Sequence, residues 1–323
     1  MRTYLKYILK RVGISILVVL AISVFVFSIL YLIPGDPVRI MLGVEADEAM
    51  VERVRSELGL DQPLHIQYAN WIRNLFQGDF GRSIVLNTDI LGLLTVRLPI
   101  TLSLTIPAIV ISVVLGIVIG VICATHRGSV VDQLLTLIVT TMNGVPVFWI
   151  GIMFIWLFGV RLQWLPIMGY VDPMVDFWGF VRSAILPVTI ISFGPLSTIA
   201  RQVRTNMLEV INQDYIRTAK AYGLSNGSIR YKYALKNTLI PIVTLVALQV
   251  RSIVGGSMLA EQVFNIAGMG RLIMQAVLNR DYLLIQALVL VISVIVVLIN
   301  MLLDISYGII DPRIRLSANK NQQ

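Results

Sequence analysis

The stretch "DYIRTAKAYGLSNGSIRYKYALKNTLIP", residues 214–241, decides how the rest of the chain is read. It carries Arg217, Lys220, Arg230, Lys232 and Lys236 against a single acid, Asp214, and apolar runs flank it on both sides. The whole chain is 57% hydrophobic and 14% charged. A soluble domain carries about 25% charged residues. A basic polar insert between greasy runs is therefore a loop between membrane spans, too short for a domain with its own core.

Outward from the insert, six apolar runs are predicted to cross the membrane: roughly 12–33, 100–125, 133–159, 184–203, 238–260 and 283–307. Each is near or above the ~20 residues that span ~30 Å of hydrocarbon. The first follows Arg2, Lys6, Lys10 and Arg11 and is too long for a cleaved leader, so it reads as an uncleaved anchor. Lys and Arg set the orientation. Fifteen fall in the segments on the N-terminal side, against four on the other side once the long 34–99 segment is set aside. Both termini and the insert are thus expected in the cytosol, and the net charge of +8 belongs to membrane topology rather than to nucleic acid.

The segment 34–99 has its own pattern. "EADEAMVERVRSELGL" places Met50, Val51, Val54 and Leu58 at helical spacing, with acids near its start and Gly59 at its stop. "IQYANWIRNLF" repeats the pattern, so short amphipathic helices on the outer surface are predicted. Within the spans, Pro107, Pro146 and the Gly194–Pro195 pair are expected to kink their helices. "GIVIG", Gly116 to Gly120, offers a flat face for close helix packing.

Motifs for chemistry are missing. The chain has no GxxxxGK[ST] and no HExxH, no cluster of acids lies in mid-span, and the glycine-containing "GLSNGS" follows no strand and reads as a loop, not a nucleophile elbow. Its one cysteine, Cys123, and two histidines, His65 and His126, support no metal site. No catalytic or metal-binding residue is expected.

Locally, "NMLEVINQDYIRTAKAYG" reads as one helix to about Tyr222, ended by Gly223, and "SNGSIRYKYALKN" starts another. Two readings of this insert stand side by side. It transmits a push between a cytosolic partner and the spans, or it is a solvated basic face on anionic lipid, as in a membrane scaffold that transports nothing.

The segment "RTAKAYGLS…ALKNTLIP" resembles the cytoplasmic loop of binding-protein-dependent ABC importer permeases, whose E-A-A-x3-G pattern docks on an ATPase. Arg217, Thr218 and Ala219 stand where E-A-A would be, and Gly223 matches the glycine. The arginine and the downstream "LIP" look like the dipeptide/oligopeptide/nickel branch. So do "LIPGDP" at 32–37, "GDFGRS", "RLPITLSL", "EQVFNIAGMGRLIMQAVLNRDY" and "LLDISYGIIDPRIR", all in order from about residue 5 to 315. The resemblance implies an all-α, type I ABC importer permease with six transmembrane helices in the bacterial plasma (inner) membrane, the first of two permease subunits. It further implies a second permease, two cytosolic ABC ATPases that bind ATP and Mg, and an extracytoplasmic substrate-binding protein. The chain itself would bind no cofactor. Peptides are the expected solute, with nickel or a metal chelate and glutathione as alternatives.

In that frame residues 1–99 form the anchor and extracytoplasmic segment, 100–308 the permease core with coupling loop 205–237, and 309–323 a cytosolic tail. Asp214, Arg217, Thr218, Ala219, Ala221 and Gly223 are the expected ATPase-coupling residues. Asn143, Pro146, Arg251 and Gly255 are candidates for the translocation path. Arg251 is the sharpest of these. It lies about 20 Å past Thr238 at 1.5 Å per residue, and a guanidinium at that depth pairs either with a charge on a partner or with a substrate carboxylate. Phe80, Phe264 and Met269 are candidates for binding-protein docking or an external gate.

Overall fold

The computed structural model describes residues 2–32, 38–39, 46–57, 59–83 and 85–310. Helix α1 is Arg2–Leu32, α2 Glu48–Glu57 and α3 Leu64–Phe76. A two-residue hairpin follows, β1 Arg82–Ser83 and β2 Thr88–Asp89, antiparallel with Arg82 opposite Asp89. Then come α4 Ile90–Thr125, α5 Val130–Gly144 and α6 Val147–Phe154, which continues as a π-helix over Ile155–Arg161. Helix α7 is Phe177–Ile211 and α8 Asp214–Ala221. After Asn226–Ser228 and a π-helical stretch Ile229–Ala234 the chain runs on as α9 Leu235–Val263, followed by α10 Met269–Leu278 and α11 Tyr282–Ile310. Among the described residues the fold is all-α apart from the hairpin. Residues 33–37 of "LIPGDP", the tail from 311 and the Arg251 side chain lie outside the described residues.

Among the described residues, four helical segments are long and apolar enough to cross a membrane: Ile8–Ile29, Ile90–Thr125, Phe177–Ile211 and Tyr282–Leu302. The pair α5–α6 makes a fifth if its halves count as one span. The apolar run 238–260 lies within α9. The bend between α5 and the helix over Val147–Arg161 is 107°, a break rather than the kink expected at Pro146. Proline pushes the residue before it out of the helical region. Val145 accordingly sits at φ −95°, ψ 134°, and the helix stops at Gly144 and restarts after Pro146. Pro107, Pro187 and Pro195 behave otherwise and stay inside the uninterrupted α4 and α7. Pro187 and Pro195 are buried among neighbours, where packing outweighs the lost donor.

The chain divides into two compact units. One comprises residues 1–8, 100–267 and 302–323. Its centre is α7 against α4, α5 and α9, with Ile199, Val203 and Met207 fully buried. A Cβ on Gly120 would lie 2.6 Å from the Ala200 carbonyl oxygen, and one on Gly116 2.8 Å from Ile199. The two glycines of "GIVIG" thus let α4 and α7 touch backbone to backbone. Beside them Ser112 Oγ donates to the carbonyls of Ala108 (2.5 Å) and Ser192 (3.3 Å), while Ser192 Oγ donates to those of Val188 (2.6 Å) and Ala108 (3.2 Å). Ser197 Oγ donates to the Val139 carbonyl at 2.7 Å, tying α5 to α7.

The other unit comprises residues 9–99 and 268–301. Its apolar core joins Ile90 and Leu94 to Met269 and Leu272 of α10 and Leu284 and Leu288 of α11. The end of α1 meets α3 through an aromatic cluster in which the ring of Phe27 lies 5.4 Å from Tyr31, 5.4 Å from Tyr68 and 5.8 Å from Trp71. Gly59 follows α2 with φ +65°, as expected of the glycine stop. Ser83, fully buried, donates to Asp281, whose Oδ1 accepts from the Leu284 amide at 3.2 Å and so caps α11.

Candidate functional site

The insert folds as a helix of its own. The single helix expected to Tyr222 is divided at Asn212–Gln213, because Asn212 Nδ2 bonds back to the Leu208 carbonyl (2.8 Å) and closes α7. Helix α8 then runs Asp214–Ala221 and is amphipathic. Ile216 and Ala219 are buried against Ile229 and Tyr233, whereas Asp214, Tyr215, Arg217, Thr218, Lys220, Ala221 and Tyr222 are exposed. Asn237 Nδ2 donates to the Tyr215 hydroxyl at 2.9 Å, which ties α8 to the start of α9. The Asp214–Arg217 contact, 3.4 Å long and exposed on both sides, adds little.

The end of α8 is a Schellman motif. The Leu224 amide donates to the Ala219 carbonyl (3.3 Å) and the Gly223 amide to that of Lys220 (2.9 Å). Gly223 adopts φ +79°, the left-handed conformation that this motif requires. A Cβ there would meet nothing within 4 Å, so space around Gly223 is open in this chain. Of the six expected coupling residues, five lie on the exposed side, and Ala219 forms part of the seat beneath.

The same unit holds a charge clasp. Asp132, buried in the first turn of α5, accepts from Arg204 of α7 in a fork, Nε to Oδ1 and Nη2 to Oδ2, both 2.8 Å. The Gly128 amide (3.0 Å) and the Thr136 hydroxyl (3.3 Å) supply further donors. A second buried acid, Glu261 at the end of α9, accepts from the Thr101 hydroxyl of α4 at 2.6 Å. Neither acid was singled out as functional by sequence. Ser129-x-x-Asp132 is a legible helix-start signal, and Ser129 Oγ does accept from the Asp132 amide at 3.3 Å, but nothing local points to Arg204.

The remaining expected residues are dispersed. Asn143 and Pro146 are exposed at the α5–α6 break, and Gly255 is exposed on α9 with open space around it. Phe80 is half-buried at the edge of its apolar core. Phe264 and Met269 are buried, each in the core of its own unit, so their side chains lie inside the chain and not on its surface.

Residues 116–316 match the family described as binding-protein-dependent transport system inner membrane component, and residues 4–105 match the N-terminal part of such components. The chain belongs to this permease family. The permease is 40% identical over 309 residues to the probable peptide ABC transporter permease protein y4tP of Sinorhizobium fredii, covering 96% of this chain and 99% of that protein. It is 35% identical to the di/tripeptide transport system permease protein DppB of Pseudomonas aeruginosa, covering 96% and 99%. With the oligopeptide transport system permease protein AppB of Bacillus subtilis identity is 36%, covering 95% and 98%. Among solved structures, the inward-facing MetNI methionine ABC transporter matches with TM-score 0.52 at 21% identity, covering 68% of the permease and 96% of that chain, and shares its fold. The permease is a multi-pass membrane subunit and not an enzyme.

Proposed function

We propose that this chain is the first of two permease subunits of an ATP-driven peptide importer in the bacterial inner membrane. It has six spans with both termini in the cytosol. Residues 100–308 form the permease core and 309–323 a cytosolic tail. A second permease, two ATPases carrying ATP and Mg, and an extracytoplasmic binding protein complete the assembly, which sits in membrane lipid.

The observation that carries the reading is α8, seated by Ile216 and Ala219 with the opposite side bare and closed by a left-handed glycine. Such a helix is held firmly from below and offers Arg217, Thr218, Ala221 and Tyr222 to a partner. Closure of an ATPase pair would move it as a rigid lever, and α7 and α9, which continue from either end of the insert, would convert that movement into alternating access. Freed backbone at the α5–α6 break is tolerated only beside protein or a water-filled path, which supports a position along the path for Asn143 and Pro146; Arg251 and Gly255 of α9 line it from the other side of the core in this reading. The turns around Phe80, Phe264 and Met269 receive the binding protein or form an external gate, with the buried Phe264 and Met269 side chains anchoring them. Peptide cargo accords with the peptide permeases that match almost end to end.

The test is ATP-dependent uptake of labelled di- and tripeptides by the assembled importer in proteoliposomes, beside nickel and glutathione. Peptide uptake stimulated by the binding protein is expected. Uptake of nickel or glutathione with none of peptide would overturn the peptide assignment.

A further inference from the structure

Within the unit formed by residues 9–99 and 268–301 lies a cavity of about 510 Å³, bordered by α1, α3, the turn into β1 and the first turns of α11. Small-molecule sites occupy about 300–1,000 Å³. Phe27, Trp71 and Phe80 give it aromatic lining, and the rest is rich in carboxamides.

The hydrogen-bond state of those carboxamides separates scaffold from vacant groups. Gln67 is fully used: the Tyr31 hydroxyl donates to its Oε1, and its Nε2 donates to the carbonyls of Leu60 (3.3 Å) and Gln62 (2.6 Å). Asn70 Nδ2 donates to Gln62 Oε1 at 3.2 Å, which leaves Gln62 Nε2 as a donor and Asn70 Oδ1 as an acceptor with no partner among the described residues. The Asn74 carboxamide also has none. Gln286 is the decisive case. It is 97% buried in an otherwise apolar stretch of α11, where a polar side chain is expensive to keep. Its Nε2 donates to the carbonyls of Val26 and Phe27, both at 3.3 Å, and its Oε1 receives no donor from the described residues. Two exposed charges of opposite sign complete the lining. Among the described residues Asp79 uses only Oδ1, on the Gly81 amide (2.8 Å), and Arg82 uses only Nη2, on the Asn87 carbonyl (3.2 Å).

Unused carboxamide donors and acceptors match the paired N–H and C=O of a peptide unit. A carboxylate with one oxygen open and a guanidinium with most of its N–H groups open match the α-ammonium and α-carboxylate of a zwitterion. Aromatic rings accept an apolar side chain. A polyanion would meet Asp79, and a metal ion would find a single acid.

We propose that this cavity is a binding subsite for a short zwitterionic peptide, taking one or two of its residues. The inference rests on the peptide-importer reading and adds where on this chain the solute is held.

The test uses the complete importer in proteoliposomes with the tripeptide Ala-Phe-Ala and its photoreactive form carrying p-benzoyl-phenylalanine. Asn74→Trp fills the cavity from an exposed position on α3, and Asn74→Ala leaves it open. Asn74→Trp is expected to lower uptake at least about tenfold, the loss of one or two positioned hydrogen bonds, with assembly and basal ATP hydrolysis unchanged. Asn74→Ala is expected to fall in between, and photolysis should label the 59–82 segment. Equal uptake by native and Asn74→Trp importers, with no label on this chain, overturns the subsite and leaves peptide import standing. Weakened affinity for the binding protein with no peptide label assigns the cavity to a loop of that protein and also overturns the proposal. A native importer that moves another solute but no peptide removes both readings together.

Discussion

Arg204 grips Asp132 through two 2.8 Å hydrogen bonds across 72 residues of sequence, joining the first turn of α5 to the last third of α7. Asp132 is almost wholly buried, while the Arg204 side chain keeps 31% of its surface exposed. The geometry is the parallel fork that suits guanidinium and carboxylate. Removing the arginine strands a buried charge. Arg204→Met is therefore expected to destabilise the permease by about 3 kcal/mol, seen as a lower Tm of the purified complex. Asp132→Leu together with Arg204→Met is expected to recover much of the loss, since an apolar pair needs no charge compensation. A double variant as unstable as the sum of the two singles would show that the pair is not coupled.

Gly223→Asp is expected to abolish uptake while the subunit still inserts and pairs. The φ of +79° makes a non-glycine residue strained at that position, at a cost of about 1–2 kcal/mol. Since a Cβ would meet nothing in this chain, the larger effect comes from the partner surface. Gly223→Ala is expected to retain more transport than Gly223→Asp. ATPase stimulation by the binding protein reports the coupling directly, and full transport by Gly223→Asp would reduce α8 to a tether.

Gly120 and Gly194 make a matched pair of probes. At Gly120 a Cβ would come within 2.6 Å of the Ala200 carbonyl oxygen and of Val203 Cβ, both parts of α7 that cannot swing aside. Gly120→Val is expected to force α4 and α7 apart at about 1–3 kcal/mol. Gly194 has open space and ordinary helical backbone, so Gly194→Ala is expected to be neutral or stabilising by about 0.4–1 kcal/mol. Thermal unfolding of the two variants side by side measures the difference.

Arg251→Gln is expected to reduce import of anionic and zwitterionic solutes while leaving basal ATP hydrolysis intact. On the proposed six-span topology Arg251 falls within a span, where a charged residue costs at least about 2.5 kcal/mol on insertion scales, so an anionic solute or partner is expected to face it. Uptake of peptides with free and amidated C-termini separates a substrate carboxylate from a partner's acid. Equal import of both by the variant would assign Arg251 to structure.

Much of this architecture is legible from local patterns. The amphipathic spacing in 48–57 and 64–76, the glycine stops at Gly59 and Gly223 and the flat face of "GIVIG" all act over a few residues, and each appears in the structure. Proline was a weaker guide. Pro146 interrupts a helix, with Val145 before it extended, whereas Pro187 and Pro195 are enclosed by neighbours that hold α7 together.

The sequence by itself determined a membrane protein with a basic loop between spans, because hydropathy and charge pattern are properties of short runs of chain. It also carried the ordered motifs that mark the permease family. Tertiary structure alone decided which distant groups meet: Asp132 with Arg204, Thr101 with Glu261, Ser83 with Asp281, and Gln286 with the backbone of α1. It also decided that residues 268–301 pack in the same unit as 9–99, and that Ala219, Phe264 and Met269 face inward. Partners 72 to 260 residues apart leave no periodic trace, and a buried polar group finds its donor only when the chain closes around it.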